Sequence, residues 1–175
     1  MTNKKAVSPP VLSFVGSSNS GKTTLMEKLV SALTAKGMRI ATIKHSHHQP
    51  EMDTPGKDSW RHKRAGALAS LLIGTEHAMM VTNVEEELTP QQWAERYFSV
   101  YDLVLAEGYA SLAGAKIEIV RAEHSKTLRC KTSELIAVIS DVPNITTDVP
   151  LIGLNDETAI IDFVISWMQQ NKLCD

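Results

Sequence analysis

The sequence predicts an α/β fold, a three-layer sandwich in which a mostly parallel sheet carries helices on both faces. Three observations lead there. Short apolar runs of strand length alternate with amphipathic stretches along the chain, the pattern of successive βαβ units. The first run, VLSFV at Val11–Val15, passes through a glycine loop straight into a helical stretch. The chain has 175 residues and a net charge of −2, enough length for one domain to bury a core without staples. Residues 1–175 are therefore expected to form one domain, with 1–10 as a flexible lead-in.

Each element follows in order. After the first strand, Leu25, Leu29 and Leu33, joined by Met26, Val30 and Ala32, recur at helical spacing, and Gly37 supplies the stop. MRIATIK is a second strand, and parallel pairing with the first requires a right-handed crossover. From Lys44 to Ala67 the chain is too rich in Pro, Gly, His and charge for a core, although a helix is expected from Asp58, capped by Asp58 or Ser59. ALASLLIG and EHAMMVT follow as strand candidates. LTPQQWAERYF opens a helix with Thr89 as N-cap, Pro90 at the first helical position and Gln92 at the capping-box position. YDLVLAEG is an apolar strand ending in a carboxylate and a glycine. KIEIVR alternates as an exposed or edge strand does, and ELIAVIS reads as a buried strand running into the DVP turn. PLIGLN is the last strand, and Asn155 is expected to cap a final helix with Ile160, Phe163, Val164, Trp167 and Met168 on one face.

Composition narrows the partners. Acidic and basic residues are scattered, so no broad surface for nucleic acid or membrane is expected, and any bound anion should be held locally. Two cysteines, Cys130 and Cys174, sit outside any C-x-x-C pattern, which suits a reducing cytoplasm. No apolar run reaches the length of a signal peptide core or a membrane span, so a cytoplasmic protein is expected.

GSSNSGKTT, from Gly16 to Thr24, has the spacing G-x-x-x-x-G-K-T between a strand and a helix, the context a P-loop requires. Gly16 and Gly21 let the backbone turn so that the N–H groups of Ser17, Ser18, Asn19 and Ser20 converge on phosphate oxygens. Lys22 would reach the β- and γ-phosphates and the Thr23 hydroxyl would ligate Mg²⁺, at the positive end of the helix. The second metal acid such a site needs is expected at Glu107, which ends an apolar strand before Gly108; Asp102 begins that strand and belongs to the opposite end.

The stretch after the second strand carries Lys44, His45, His47 and His48, with Asp53 and His62 beyond. Three readings stand: a Zn²⁺ or Ni²⁺ site, a solvated polar stretch, and a switch-like segment reaching toward the γ-phosphate. In extended backbone His45 and His47 share a face and His48 points away, which leaves part of the trio outside a common metal site. Position after the P-loop helix favours the switch. Pro55-Gly56 marks a turn, and Asp53 is either a turn acid or a holder of a metal-bound water or partner substrate. The N-K-x-D loop that reads guanine elsewhere is absent. Asp141, in ISDVP just past a buried strand, is either a turn acid or the carboxylate that accepts the guanine N1–H and N2 amino group.

GSSNSGKTTL, IKHSHH, DTPGKDS, RAGA, LAEGY and ISDVP, in this order across roughly residues 11–170, resemble the MobB family of molybdopterin-guanine dinucleotide biosynthesis adaptor proteins. KH-x-HH followed by D-x-PGKDS is the more specific part. The resemblance implies a homodimeric P-loop GTP-binding protein of the group that includes dethiobiotin synthetase and the nickel-insertion GTPases. Such a protein assists a guanylyltransferase and other molybdenum cofactor biosynthesis proteins, and does not itself transfer the nucleotide. It assigns Gly16–Thr24 to the phosphates, Thr23 and Glu107 to Mg²⁺, Lys44 and His47 to the switch-like loop and Asp141 to guanine. Some relatives carry a lysine directly after the first glycine of the loop, where this chain has Ser17, and no D-x-x-G segment with an adjacent Gln occurs. GTP binding with slow turnover is therefore expected. The alternatives are a small-molecule kinase, with Arg61 and Arg64 as lid arginines, and a metal-insertion GTPase resting on the histidines.

Overall fold

The computed structural model describes residues 8–46, 48, 50 and 53–172. Along the chain run β1 (Val11–Val15), α1 (Lys22–Ala35), β2 (Ile40–Lys44), α2 (Asp58–Arg64), β3 (Ala69–Ile73), β4 (Ala78–Thr82), α3 (Pro90–Tyr97), β5 (Leu103–Glu107), β6 (Ala115–Val120), β7 (Ala137–Ser140), β8 (Leu151–Gly153) and α4 (Glu157–Lys172). They divide into two compact units, one made of the chain up to His45 and from Leu88 onward, the other of Ser46–Glu87.

In the larger unit all six strands are parallel, in the order β2-β5-β1-β6-β7-β8. β1 and β5 are buried along their whole length, as continuous apolar runs between two helical layers must be. Leu12, Phe14, Leu105, Ile117, Ile119 and Ile139 pack on one face against Leu25, Leu29 and Leu33 of α1 and Ile160, Val164 and Met168 of α4. On the other face Val11, Val104 and Ala106 meet Ala94 and Trp93 of α3. Helices thus cover both faces, as the alternation predicts.

Local chemistry sets the helix ends. α1 stops in a Schellman turn, in which the Gly37 N–H donates to Thr34 O at 2.9 Å and the Met38 N–H to Leu33 O at 3.2 Å. Gly37 takes φ +83° there. The capping box of α3 forms as expected: the Gln92 N–H donates to Thr89 Oγ1 at 3.2 Å and the Thr89 N–H to Gln92 Oε1 at 2.8 Å. Two caps differ from expectation by one residue. Asp156, and not Asn155, caps α4, its Oδ1 accepting the Ala159 N–H at 3.0 Å. Lys57 precedes α2 without a side-chain cap.

KIEIVR is not an edge strand. β6 lies between β1 and β7, and its two charged residues are buried and paired. Lys116 Nζ donates to Ala110 O at 2.8 Å and to Glu134 Oε2 at 3.2 Å. Glu118, 1% exposed, accepts the backbone N–H groups of Arg129 and Cys130 at 2.7 and 2.9 Å. The alternation of charge that reads as solvent exposure is here a set of satisfied interior charges.

In the smaller unit β3 and β4 pair only with each other, as an antiparallel hairpin. Lys63 of α2 fastens its base, donating to Ala67 O, Leu68 O and Asn83 Oδ1 at 2.8, 2.9 and 2.7 Å. The hairpin is apolar yet exposed at Leu71, Leu72, Ile73 and Met80.

Candidate functional site

Because the six strands are parallel, the loop after β1 and the last residues of β2 and β5 open on one edge of the sheet. In register, Lys44 lies opposite Glu107 and Phe14 opposite Glu107 from the other side. The N–H of Gly108 donates to Phe14 O and that of His45 to Glu107 O, both at 3.0 Å, so the ladder extends to the site itself.

The glycine loop is built for close backbone approach. Gly16 has φ +146°, and a Cβ there would lie 2.4 Å from the carbonyl oxygen of Ile119 on β6. Asn19 is left-handed at φ +62°, and Gly21, at φ +90°, is the N-cap of α1 and offers no side-chain acceptor. With no acid in its first turn, the start of α1 keeps its free N–H groups and its positive pole for an external anion. Ser17 Oγ and Ser20 Oγ are buried with no partner among the described residues.

Lys22 Nζ reaches back across this loop, donating to Ser17 O at 2.7 Å and Gly16 O at 3.2 Å. Burial pushes its pKa down; Glu107 works against that, and the charges of Lys44 and Arg129 add to it. Beside it, Thr23 Oγ1 donates to Glu107 Oε2 at 3.0 Å, and Lys44 Nζ forms an ion pair with Glu107 Oε1. The Glu107 side chain is 9% exposed, while that of Lys44 is 62% exposed. A hydroxyl and a buried carboxylate oxygen at this separation are the hard donors that Mg²⁺ takes together with phosphate oxygens and water. The residues fit a magnesium–nucleotide complex: Gly16–Thr24 the phosphates, Thr23 and Glu107 the metal. Asp102 is at the far edge, where its Oδ2 accepts the Arg39 N–H at 2.8 Å.

Three neighbours lack any local sequence signal. Tyr109, left-handed at φ +62°, packs its ring against that of His45 at a tilt of 36° with centroids 4.7 Å apart, and the open space at Gly108 is filled by His45, whose Cβ would be 3.2 Å from an added Cβ. Arg121 and Arg129 come from the segment after β6: Arg121 Nη1 stands 4.0 Å from the Cβ position of Gly21, and the charge of Arg129 bears on Lys22.

Two other expected carboxylates accept local backbone hydrogen bonds. Asp141 follows β7 and its Oδ1 accepts the Ala122 N–H at 2.7 Å, which ties the ends of β6 and β7 together. Asp53 belongs to the smaller unit, where its Oδ1 accepts the Thr54 N–H at 2.7 Å ahead of the Pro55-Gly56 turn. His47 lies outside the described residues. Among those that are described, no three His, Cys, Asp or Glu side chains gather closely enough to hold a metal ion. Arg61 pairs with Asp58 within α2 and Arg64 covers the Trp60 ring at 5.4 Å, so both are engaged locally. No described helix is long and apolar enough to cross a membrane.

The model of the family MobB, "Molybdopterin guanine dinucleotide synthesis protein B", matches residues 11–141. The "Molybdopterin-guanine dinucleotide biosynthesis adapter protein" of Escherichia coli (strain K12) is 41% identical over 168 residues, 93% of this chain and 95% of its own length. The adapter protein of the same name from Haemophilus influenzae is 36% identical over 160 residues, covering 91% and 89%. Among solved structures, that of Bacillus subtilis MobB superposes with a TM-score of 0.73 at 27% identity, covering 90% of this chain and 96% of that one.

Proposed function

The chain belongs to the MobB family, and from that premise we propose that it is a GTP-binding adaptor in molybdenum cofactor biosynthesis. In this reading it assists a guanylyltransferase partner in converting molybdopterin to the guanine dinucleotide form. The observation that carries the nucleotide part is the meeting of Thr23 and Glu107 beneath an uncapped helix start, with Lys22 drawn over the loop. Mg²⁺ bound by Thr23 and Glu107 would neutralise charge on the β- and γ-phosphates. The chain's own part is to cradle those phosphates with the Gly16–Gly21 backbone and to keep Lys22 beside them. Lys44, paired with Glu107 at the end of β2, links the metal acid to the start of the histidine segment, and Asp141 is the carboxylate assigned to guanine.

At the position directly after Gly16 stands Ser17, which adds no charge to the phosphates. Slow hydrolysis follows, so the loop presents nucleotide more than it consumes it. A turnover above about one per second without a partner, the ordinary enzyme range, contradicts this. The reading includes a cytoplasmic homodimer. The exposed apolar hairpin of β3 and β4 supports such a contact, since apolar patches of this kind mark interaction surfaces.

The test is calorimetric titration with GTP and with ATP, with and without Mg²⁺, on the unsubstituted chain and on Lys22→Ala. Selective, Mg²⁺-dependent GTP binding lost in the variant is expected. A preference for ATP would remove the guanine assignment and favour a kinase.

A further inference from the structure

The ten-residue segment from Arg121 to Cys130 has no regular secondary structure, yet it is fastened at both ends. At its start the Ala122 N–H is held by Asp141, and turns are closed by the His124 and Ser125 N–H groups on Arg121 O, each at 2.9 Å. At its end the fully buried Glu118 takes both the Arg129 and the Cys130 N–H. A carboxylate placed inside a central strand is costly, and here one oxygen fixes the backbone of Arg129 and the other that of Cys130.

The fastened segment carries its charge to the glycine loop. Arg121 Nη1 stands 4.0 Å from the Cβ position of Gly21, over the start of α1. The charge of Arg129 bears on Lys22, and among the described residues no carboxylate forms an ion pair with its guanidinium. Arg121 pairs with Glu123, whose side chain is 72% exposed, at 3.6 Å. Arg121 and Lys22 bring two positive groups to one helix N-terminus, and the charge of Arg129 bears on Lys22 as well; such charges repel each other until an anion joins them, and the guanidinium fork matches phosphate oxygens.

We propose that Arg121 and Arg129 bind the terminal phosphates of the nucleotide held by the glycine loop, and that Glu118 is the positioning residue that keeps Arg129 there. This rests on the nucleotide reading above.

The test titrates the full chain with Mg-GTP, Mg-GDP and, by competition, GMP, in Arg121→Gln, Arg129→Gln, Glu118→Gln and the control Lys126→Gln from the same segment. Each arginine variant is expected to weaken GTP by about tenfold or more, the scale of a charge-assisted hydrogen bond, with a smaller loss for GDP and less than about twofold for GMP. Lys126→Gln should stay within about twofold of the unsubstituted chain, as a solvated charge of the same sign does. Glu118→Gln should repeat the Arg129→Gln pattern, and the double variant should add little to either, the mark of one shared interaction. A Glu118 role in stability alone would lower all three affinities alike. Should Glu118→Gln fail to fold, the two surface arginine variants decide the matter. Arginine variants that bind GTP like the unsubstituted chain, or lose GTP and GMP equally, overturn this proposal alone. Failure of the unsubstituted chain to bind GTP overturns the nucleotide reading and this proposal with it.

Discussion

Replacing Glu118 by glutamine tests how much of the fold depends on one interior carboxylate. Its oxygens accept one backbone N–H each, from Arg129 at 2.7 Å and from Cys130 at 2.9 Å. Glutamine keeps one acceptor and turns an amide N–H₂ against the other backbone donor. That leaves a buried N–H unpaired, at about 1–3 kcal/mol, and the surviving bond loses its charge assistance, about 1 kcal/mol more. The opposing term is relief from burying a charge. Relief is the smaller effect, because two charge-assisted bonds already compensate the carboxylate while, among the described residues, no other acceptor reaches the orphaned N–H. The net expectation is a loss of about 2–4 kcal/mol. For a chain of this size each kcal/mol moves Tm by about 2–4 °C, so differential scanning calorimetry should record a fall of about 5–15 °C. Glu123→Gln, the same change on an exposed side chain, should cost no more than about 0.5 kcal/mol. Equal Tm values for the two variants would refute the account of β6 given above.

Gly16→Ala should destabilise by about 2–4 kcal/mol, because its Cβ meets the Ile119 carbonyl of a central strand, whereas Gly21→Ala pays only for its positive φ, about 1–2 kcal/mol; urea midpoints compare them. Burial pushes the Cys130 thiol pKa up, and the Glu118 charge adds to it. In a Cys174→Ser background, iodoacetamide should therefore react slowly at pH 8.5, with its pH midpoint moving down in Glu118→Gln. The sign for folding follows: a pKa raised in the native state gives stability that is complete below the unfolded thiol's range, about pH 8.5, and is lost as pH rises through the raised value. Lys44→Met removes the ammonium paired with Glu107, so the Mg²⁺ concentration that half-saturates GTP binding should fall severalfold; a rise would mean that Lys44 serves the phosphates instead.

How much of this was legible in the sequence depended on the range of each interaction. The strand, glycine loop and helix in succession and the Thr89 capping box are local chemistry at fixed spacing, and the structure has both. Asp102 and Glu107 were sorted to opposite edges because a strand has two ends. The failures have physical causes too. A charge alternating with apolar residues signals solvent only when the charge has no interior partner, and Lys116 and Glu118 have theirs. Asn155 and Asp156 both suit an N-cap, and one residue of register decided between them. β3 and β4 read as strands but not as an exposed hairpin outside the main sheet, since an apolar run does not state what covers it. Arg121 and Arg129 carry no motif: contacts across β6 are set by topology.

The strand order β2-β5-β1-β6 explains why the site has two unlike flanks. With β5 inserted between β1 and β2, Thr23 and Glu107 meet across 84 residues of sequence, and Lys44 and Glu107 across 63. That side of the glycine loop thus holds the carboxylate and the hydroxyl, the donors suited to a hard cation. On the other side β6 comes late in the chain, and the segment it releases brings arginine to the same helix start. The loop between them has neither acid nor cap, so its free N–H groups favour an anion whose charge both flanks can share. The proposed polyphosphate with its magnesium would satisfy both flanks together. A simple anion would leave Glu107 to Lys44 and the Thr23 hydroxyl, and a lone cation would meet the positive side unshielded.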